Sequence, residues 1–268
     1  MTEFVRINRR LFLARLGKGT MALAVLGACG SNTGGSSTTS AASTTGPAST
    51  AATTTTSPPA TTTTTGTTAP SAGLVEYLRV DLGFVSAYVV VRGSEAAVVD
   101  TGVSGSEGSI EAALATVDLG WDAVGHVILT HHHPDHVGSM PAVLNAAAAA
   151  TGYIGEGDLD NVSGPRELVG VVEGDDVFGL SVIGTPGHTA GHISLLDAVA
   201  SVLIAGDALN GDNGGVAGPN PQFSEDHNQA IATVGKMAGY EYETLYFGHG
   251  EPILEGAAAM VAELADNQ

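Results

Sequence analysis

Cysteine, tryptophan and positive charge are the scarce components of this chain. Its 268 residues include one cysteine, one tryptophan and only nine Lys+Arg against 28 Asp+Glu, a formal net charge of −19. A single cysteine cannot close an internal disulfide, which excludes a disulfide-stapled scaffold and a structural zinc site built on several thiolates. The shortage of cations disfavours nucleic acid and anionic lipid headgroups as partners, because both need clustered Lys and Arg. The apolar run Gly19 to Ala28 falls well short of the ~20 residues a membrane-spanning helix requires. What remains is a chain long enough for one large domain or two small ones, with 43% apolar residues to build a core.

The few cations are unevenly placed. Arg6, Arg9, Arg10, Arg15 and Lys18 precede the short apolar run, and Leu26-Gly27-Ala28-Cys29 closes it. This charged-then-apolar order reads as a signal peptide over 1–28. The stretch Asn8-Arg9-Arg10-Leu11-Phe12-Leu13 resembles a twin-arginine export signal, and Leu26 to Cys29 resembles a bacterial lipobox. That resemblance implies lipid on Cys29 and an extracytoplasmic protein anchored to the cell membrane. Residues 29–73 are dominated by uncharged Thr, Ser, Ala, Gly and Pro, including Thr53 to Thr56 and Thr61 to Thr65. Such a segment cannot form a core, so a disordered tether is expected there. The remaining region, 74–268, has a single-domain length and keeps 27 acids against Arg79, Arg92, Arg166 and Lys236, a net −23.

Within 74–268, Val75 to Val80, Ala87 to Val91 and Ala96 to Val99 are β-branched runs between glycine-containing turns, the pattern of a strand meander ending at Asp100-Thr101-Gly102. Ile110, Ala113, Leu114 and Val117 recur at helical spacing over Ser106 to Val117, with Ser106 as the N-cap. A buried strand, Val127 to Leu129, leads to Thr130-His131, and Pro134-Asp135 opens a helix expected to run through Met140 and Leu144 into the alanines 146–150. A second set follows: strands near Val169 to Val172, Val177 to Ile183, His192 to Leu196 and Ser201 to Ala205, a helix near Glu225 to Met237, strand Thr244 to Phe247, and a last helix from Leu254. Strands and helices thus occur twice in similar order. That favours an α/β fold of two face-to-face sheets with helices outside, although periodicity alone does not separate it from another α/β layering.

The densest chemistry lies in Thr130-His131-His132-His133-Pro134-Asp135-His136. Alternate residues of an extended segment point the same way, so His131 and His133 can reach one point, and the turn into the helix re-aims Asp135 and His136 beside it. Imidazole and carboxylate suit a borderline ion such as zinc. Three more candidates sit just past strands beside glycine: His188, Asp207 and His249. Each alone reads as an ordinary loop or turn residue, and the histidine run alone as an incidental metal-binding tract. Together they make seven candidate ligands, too many for one zinc and suited to two ions.

This order, His-x-His-x-Asp-His followed by His, Asp and His, resembles the metallo-β-lactamase superfamily of hydrolases; the resemblance covers all of 74–268 and implies that family's α/β fold, a four-layer αββα sandwich. It implies His131, His133 and His188 on one metal, Asp135, His136 and His249 on the other, and Asp207 bridging both. It makes Asp100 an orienting residue behind the ligands. His126 and His192 are expected to be structural, His132 solvent-facing or behind the ligands, and His227 a surface residue.

The resemblance further implies two divalent ions, zinc first, whose shared water becomes a hydroxide that attacks a carbonyl while Asp135 orients it and passes a proton to the leaving group. A bridging aspartate resembles the thioesterase, lactonase and phosphodiesterase branches more than the β-lactamases. Nineteen residues follow His249, so the C-terminal helical domain by which hydroxyacylglutathione hydrolases hold glutathione is expected to be lacking. The cation-poor composition favours a small, mostly neutral ester, lactone or thioester, with Leu209 to Pro221 as a cleft wall and Phe223 as an apolar contact. The alternatives are a β-lactam hydrolase and a metal-binding module without turnover.

Overall fold

A computed structural model describes residues 75–268. The signal-like segment, Cys29 and the Thr-rich stretch lie outside the described residues.

Three strands form an antiparallel meander, β1 (Val75–Asp81), β2 (Ser86–Arg92) and β3 (Glu95–Val99). Parallel pairing then adds β4 (Val124–Leu129), β5 (Thr151–Gly155) and β6 (Val169–Val171), giving a sheet in the order β1-β2-β3-β4-β5-β6. The later strands are β7 (Asp176–Val177), β8 (Leu180–Gly184), β9 (Ile193–Asp197), β10 (Val202–Ile204), β11 (Asn210–Asp212), β12 (Gly215–Ala217) and β13 (Thr244–Tyr246). Five of them make the second sheet, ordered β13-β10-β9-β8-β7, while β11 and β12 pair with each other. The helices are α1 (Glu107–Ala115), α2 (Pro134–Val137), α3 (Met140–Ala146), α4 (His227–Met237) and α5 (Ala257–Asp266).

The layering follows from the two-residue period of the strands. Along the first sheet, Leu78, Val80, Ala87, Val89, Val98, Val127 and Leu129 face one way and pack with Ile110 and Leu114 of α1 and Val143 and Leu144 of α3. Their neighbours Tyr77, Tyr88, Val90, Val99 and Ile128 face the other way, against Leu195, Val202, Ile204 and Tyr246 of the second sheet. The outer face of that sheet, with Ile183, Leu203 and Leu245, packs on Val234 and Met237 of α4 and Val261 of α5. Three apolar interfaces between four layers are the αββα sandwich expected from the sequence. Leu129 and Leu245 are completely buried, so truncating either to alanine costs about 2–5 kcal/mol.

Several elements differ from the sequence reading. The single helix expected from Pro134 into the alanines is two, α2 and α3, because Pro141 at the start of α3 has no N–H and cannot continue the preceding helix. The interruption is used: Ser139 Oγ donates to Val103 O at 2.6 Å and accepts from Ser106 N at 2.7 Å. Ser106 stands at the N-cap of α1 but makes no side-chain cap. The strand expected over Val177 to Ile183 is a tight hairpin, since Phe178 and Gly179 both take positive φ, 59° and 75°, as a two-residue turn of this hand requires. β5, with glycine at both Gly152 and Gly155, lacks the β-branched run that announces the other strands. Half of the glycine-rich segment after Asp207 folds as the β11–β12 hairpin.

Strand direction gathers the site. β3 and β4 run parallel, as do β10 and β13, so Asp100, His131, Asp207 and His249 all follow strand ends at one rim. Ile193 N donates to Thr130 O at 2.9 Å and Ser86 N to Gly248 O at 2.8 Å, tying the two sheets together there.

Candidate metal centre

The end of β4 carries His131 into the interior, where it is fully buried, and the extended step to His133 brings the second ring back beside it. His131 Nε2 lies 3.1 Å from His133 Nδ1, and His188 Nε2, from the β8–β9 loop, lies 2.9 Å from that same nitrogen. One cluster thus offers three imidazole nitrogens to a common point. Pro134 starts α2 and turns the chain so that Asp135 and His136 face the opposite side of the cleft. There His249 Nε2 is 3.4 Å and His136 Nε2 3.9 Å from Asp135 Oδ2.

Asp207 stands between the two groups. Its Oδ2 is 3.2 Å from His249 Nε2, 3.4 Å from His188 Nε2 and 4.0 Å from His131 Nε2, while Oδ1 is 3.3 Å from His136 Nε2. The approach leaves no room for a side chain at Gly248, where a Cβ would fall 2.0 Å from Asp207 Oδ1. The structure therefore brings together all seven residues singled out from the sequence.

The donor set fits divalent ions. His131, His133 and His188 form one group whose ligand atoms lie within 4.8 Å of one another, and Asp135, His136 and His249 form another, with Asp207 joining His131 and His136 in a third. His136 Nε2 and Asp207 Oδ1 are buried with no hydrogen-bond partner. Leaving such atoms unpaired is costly unless something else takes their lone pairs.

The charges agree. Burial pushes His131 well below the usual imidazole range and His188 down to about 4, so both present neutral lone pairs. His136 and His249 go the other way. Burial opposes it, yet Asp207 and Asp100 raise His136 well above its ordinary value, and Asp135 and Asp207 raise His249 to about 10. Burial would raise Asp207 too, but His136 holds it well below the carboxylate range. These carboxylates require positive charge at their centre, which protons on His136 and His249 supply and which a divalent cation would supply while displacing those protons.

Supporting contacts orient the rings. Asp100 Oδ2 pairs with His136 Nδ1 at 2.9 Å, and Thr130 donates to Asp100 through its N–H and its hydroxyl, each at 2.8 Å. Asp100 takes φ 57°, a left-handed conformation that aspartate tolerates. His192, expected to be structural, is buried and accepts the Asp207 N–H at its Nε2, 3.0 Å away. His126 packs between Tyr153 and Phe178 away from the centre. His132 sits 3.1 Å from Asp158, and His227, expected at the surface, is half-buried at the start of α4.

Two contributors escaped the sequence reading. The Phe84 carbonyl accepts from His249 Nδ1 at 2.6 Å, and its ring stacks on that imidazole. Asp158 is completely buried and joins two ligand loops. Neither has a local motif: one acts through a backbone oxygen, and the other is the buried one of three acids in a 3₁₀ turn, with Glu156 and Asp160 exposed beside it.

The cleft above the metal groups is a cavity of about 790 Å³, bounded by Phe84, Asn210, Asn220, Gln222, Phe223 and Glu225 beside the ligands. Its size falls within the usual range for small-molecule sites. Among the described residues no Lys or Arg lines it, because Arg79 pairs with Glu251, Arg92 with Asp197, Lys236 with Glu173, and Arg166 donates to the carbonyls of Leu144 and Ala147.

A sequence profile of the Metallo-beta-lactamase superfamily matches residues 80–249. YobT of Bacillus subtilis (strain 168) is 30% identical over 200 residues, 62% of this chain and 83% of that protein. A hydroxyacylglutathione hydrolase of Rhodospirillum rubrum is 37% identical over 141 residues, 50% of this chain and 51% of the relative, so the chain spans about half the length of that hydrolase. Among solved structures, a metallo-beta-lactamase family protein of Thermus thermophilus shares the fold at 23% identity and TM-score 0.59, covering 72% of this chain and 78% of the other. TTHA1623, solved in a di-iron-bound form, does so at 22% identity and TM-score 0.56, with 69% and 95% covered. With its donor set in the order and place described, the chain belongs to the metallo-β-lactamase superfamily.

Proposed function

We propose that the protein uses two divalent ions to hydrolyse a small, mostly neutral ester, lactone or thioester. The observation that carries this reading is the juxtaposition of seven converging donors with a cavity that no Lys or Arg among the described residues lines. A substrate carboxylate or phosphate would lose its water in that cavity without a Lys or Arg to pair with. The relatives named hydroxyacylglutathione hydrolases act, by that name, on an acyl derivative of glutathione, which supports hydrolysis of an acyl bond.

His131, His133 and His188 would hold one ion, Asp135, His136 and His249 the other, and Asp207 would serve both. When bound, such ions polarise a carbonyl and acidify a water near neutral pH. Asp135 is half-buried, and the hydrogen bond from His249 keeps its carboxylate ionised below the usual range. It borders the cavity, where it can take a proton and return it to the leaving group. Phe84 and Phe223, both more than 60% exposed at the cavity mouth, give an acyl chain apolar surface to cover. Imidazole and carboxylate donors suit zinc, which we place first, and also iron, as in the di-iron form of TTHA1623.

Metal analysis followed by a chelator-sensitive screen of lactones, thioesters, phosphodiesters and a chromogenic cephalosporin tests the reading. The expected result is two ions per chain with fastest turnover on uncharged acyl substrates. Two ions with no turnover on any class would point to a binding module, and preference for the cephalosporin to a β-lactamase. We further propose that lipid on Cys29 anchors the protein outside the cell membrane, which the order of charge, apolar run and cysteine supports. Cys29→Ser should release it from the membrane fraction, and a variant that stays wholly with membranes would refute the anchor.

A further inference from the structure

Asp158 is completely buried in the 3₁₀ turn Glu156–Asn161 that follows β5, and it neither borders the cavity nor belongs to a metal group. Its carboxylate nevertheless accepts three hydrogen bonds from two ligand loops. Oδ2 accepts from His132 N at 3.0 Å and from Thr189 Oγ1 at 2.6 Å, and Oδ1 accepts from Gly191 N at 2.7 Å. His132 stands between His131 and His133, and Thr189 follows His188. Gly191 comes so close that a Cβ there would meet Asp158 N at 2.1 Å. The other metal group is anchored elsewhere: His136 through Asp100, and the His249 loop through the Phe84 carbonyl and Arg79, which donates to Gly250 O at 3.1 Å.

Resting on the two-ion reading above, we propose that Asp158 is the positioning residue of the three-histidine group. By gripping both loops it sets the separation of His131 and His133 from His188, so one ion depends on it and the other does not. The chemistry of the grip is specific to a carboxylate. An amide in its place keeps one oxygen, and turning that oxygen toward Thr189 and His132 sets its NH₂ against the Gly191 N–H, leaving two donors facing each other. Residues that orient metal ligands from behind typically change affinity about 10- to 100-fold when replaced.

The test uses the full chain, stripped by chelator and titrated with Zn²⁺ and, for its visible spectrum, Co²⁺. Wild type should take up two ions; any other stoichiometry overturns the two-ion reading and this inference with it. Asp158→Asn should weaken one ion about 10- to 100-fold and leave the second at its wild-type affinity. The weakened ion should be the one lost in His133→Ala, and the retained ion the one lost in His249→Ala. If Asp158→Asn keeps wild-type affinity for both ions, or weakens both in parallel, the assignment is overturned, the latter marking Asp158 as a general structural residue. Should Asp158→Asn fail to fold, Thr189→Val removes one of the three donors without changing shape. It should produce the same one-sided loss at smaller amplitude, and unchanged or equal losses would again overturn the proposal.

Discussion

Asp100 illustrates how a residue that touches no substrate can govern the centre. It accepts from Thr130 twice and pairs with His136 Nδ1, which fixes the ring so that Nε2 faces Asp207. Asp100→Asn keeps the left-handed backbone but offers one acceptor fewer, and should weaken metal binding about 10- to 100-fold, read by chelator competition. Asp135→Ala should cost about 10²–10⁴ in turnover with the unfolding midpoint of the metal-stripped protein little changed, and full activity in that variant would remove Asp135 from proton transfer. His126 offers a pH prediction independent of the metal. Burial against Tyr153 and Phe178 lowers its pKa, against a small opposing pull from Glu95. Between the lowered folded value and the ordinary one near 6.5, the unfolded chain binds the proton and the folded chain does not, so stability falls as pH drops below about 6.5. His126→Phe should flatten that fall in urea melts compared at pH 7 and pH 5.5, and an unchanged slope would refute it.

At the scale of elements, the loops after β8, β10 and β13 are held by close backbone approach as much as by side chains. Gly248 sits where any side chain would meet Asp207 and His136. Gly248→Ala should therefore displace Asp207 and lower both metal content and activity, while a far-ultraviolet spectrum like that of wild type shows the sandwich intact. Pro141 and Ser139 teach a related lesson. Read as helical periodicity alone, 134–150 looks continuous, yet the break between α2 and α3 is what lets Ser139 bond Val103 and Ser106 and holds the Asp100 turn against α2. Thr101 N and its hydroxyl both donate to His136 O, at 2.7 and 2.8 Å.

For the molecule as a whole, metal and fold are thermodynamically linked. Each ion that binds only the folded state at 100 times its Kd adds about 2.7 kcal/mol, so two such ions are worth roughly 10–20 °C in Tm for a domain of this size. Excess Zn²⁺ should raise the melting temperature of the stripped protein by that amount, and an unchanged Tm would argue against a structural stake in the metal. The charge balance acts at the same scale. Because the four Lys and Arg among the described residues are committed to partners away from the cavity, Gln222→Lys at its rim should raise kcat/KM for an anionic ester relative to its neutral analogue several-fold, an effect that salt erodes.

Much of this was legible along the chain. The strands followed from β-branched apolar runs between glycine-containing turns and the layering from the family resemblance, and the seven donors announced themselves because a metal demands particular side chains, which strand ends next to glycine can deliver. Of their partners, Asp100 was named through the resemblance, and the others were not. Asp158, the Phe84 carbonyl and the His192 ring that accepts from Asp207 N act across the fold, and backbone acceptors and solitary buried acids leave no local signature. The sequence by itself therefore determined which atoms could bind metal and how many cations the domain could offer a substrate. Only the tertiary structure decided where those atoms converge and what holds them there, because convergence depends on contacts between loops far apart in the chain, whose geometry no short segment encodes.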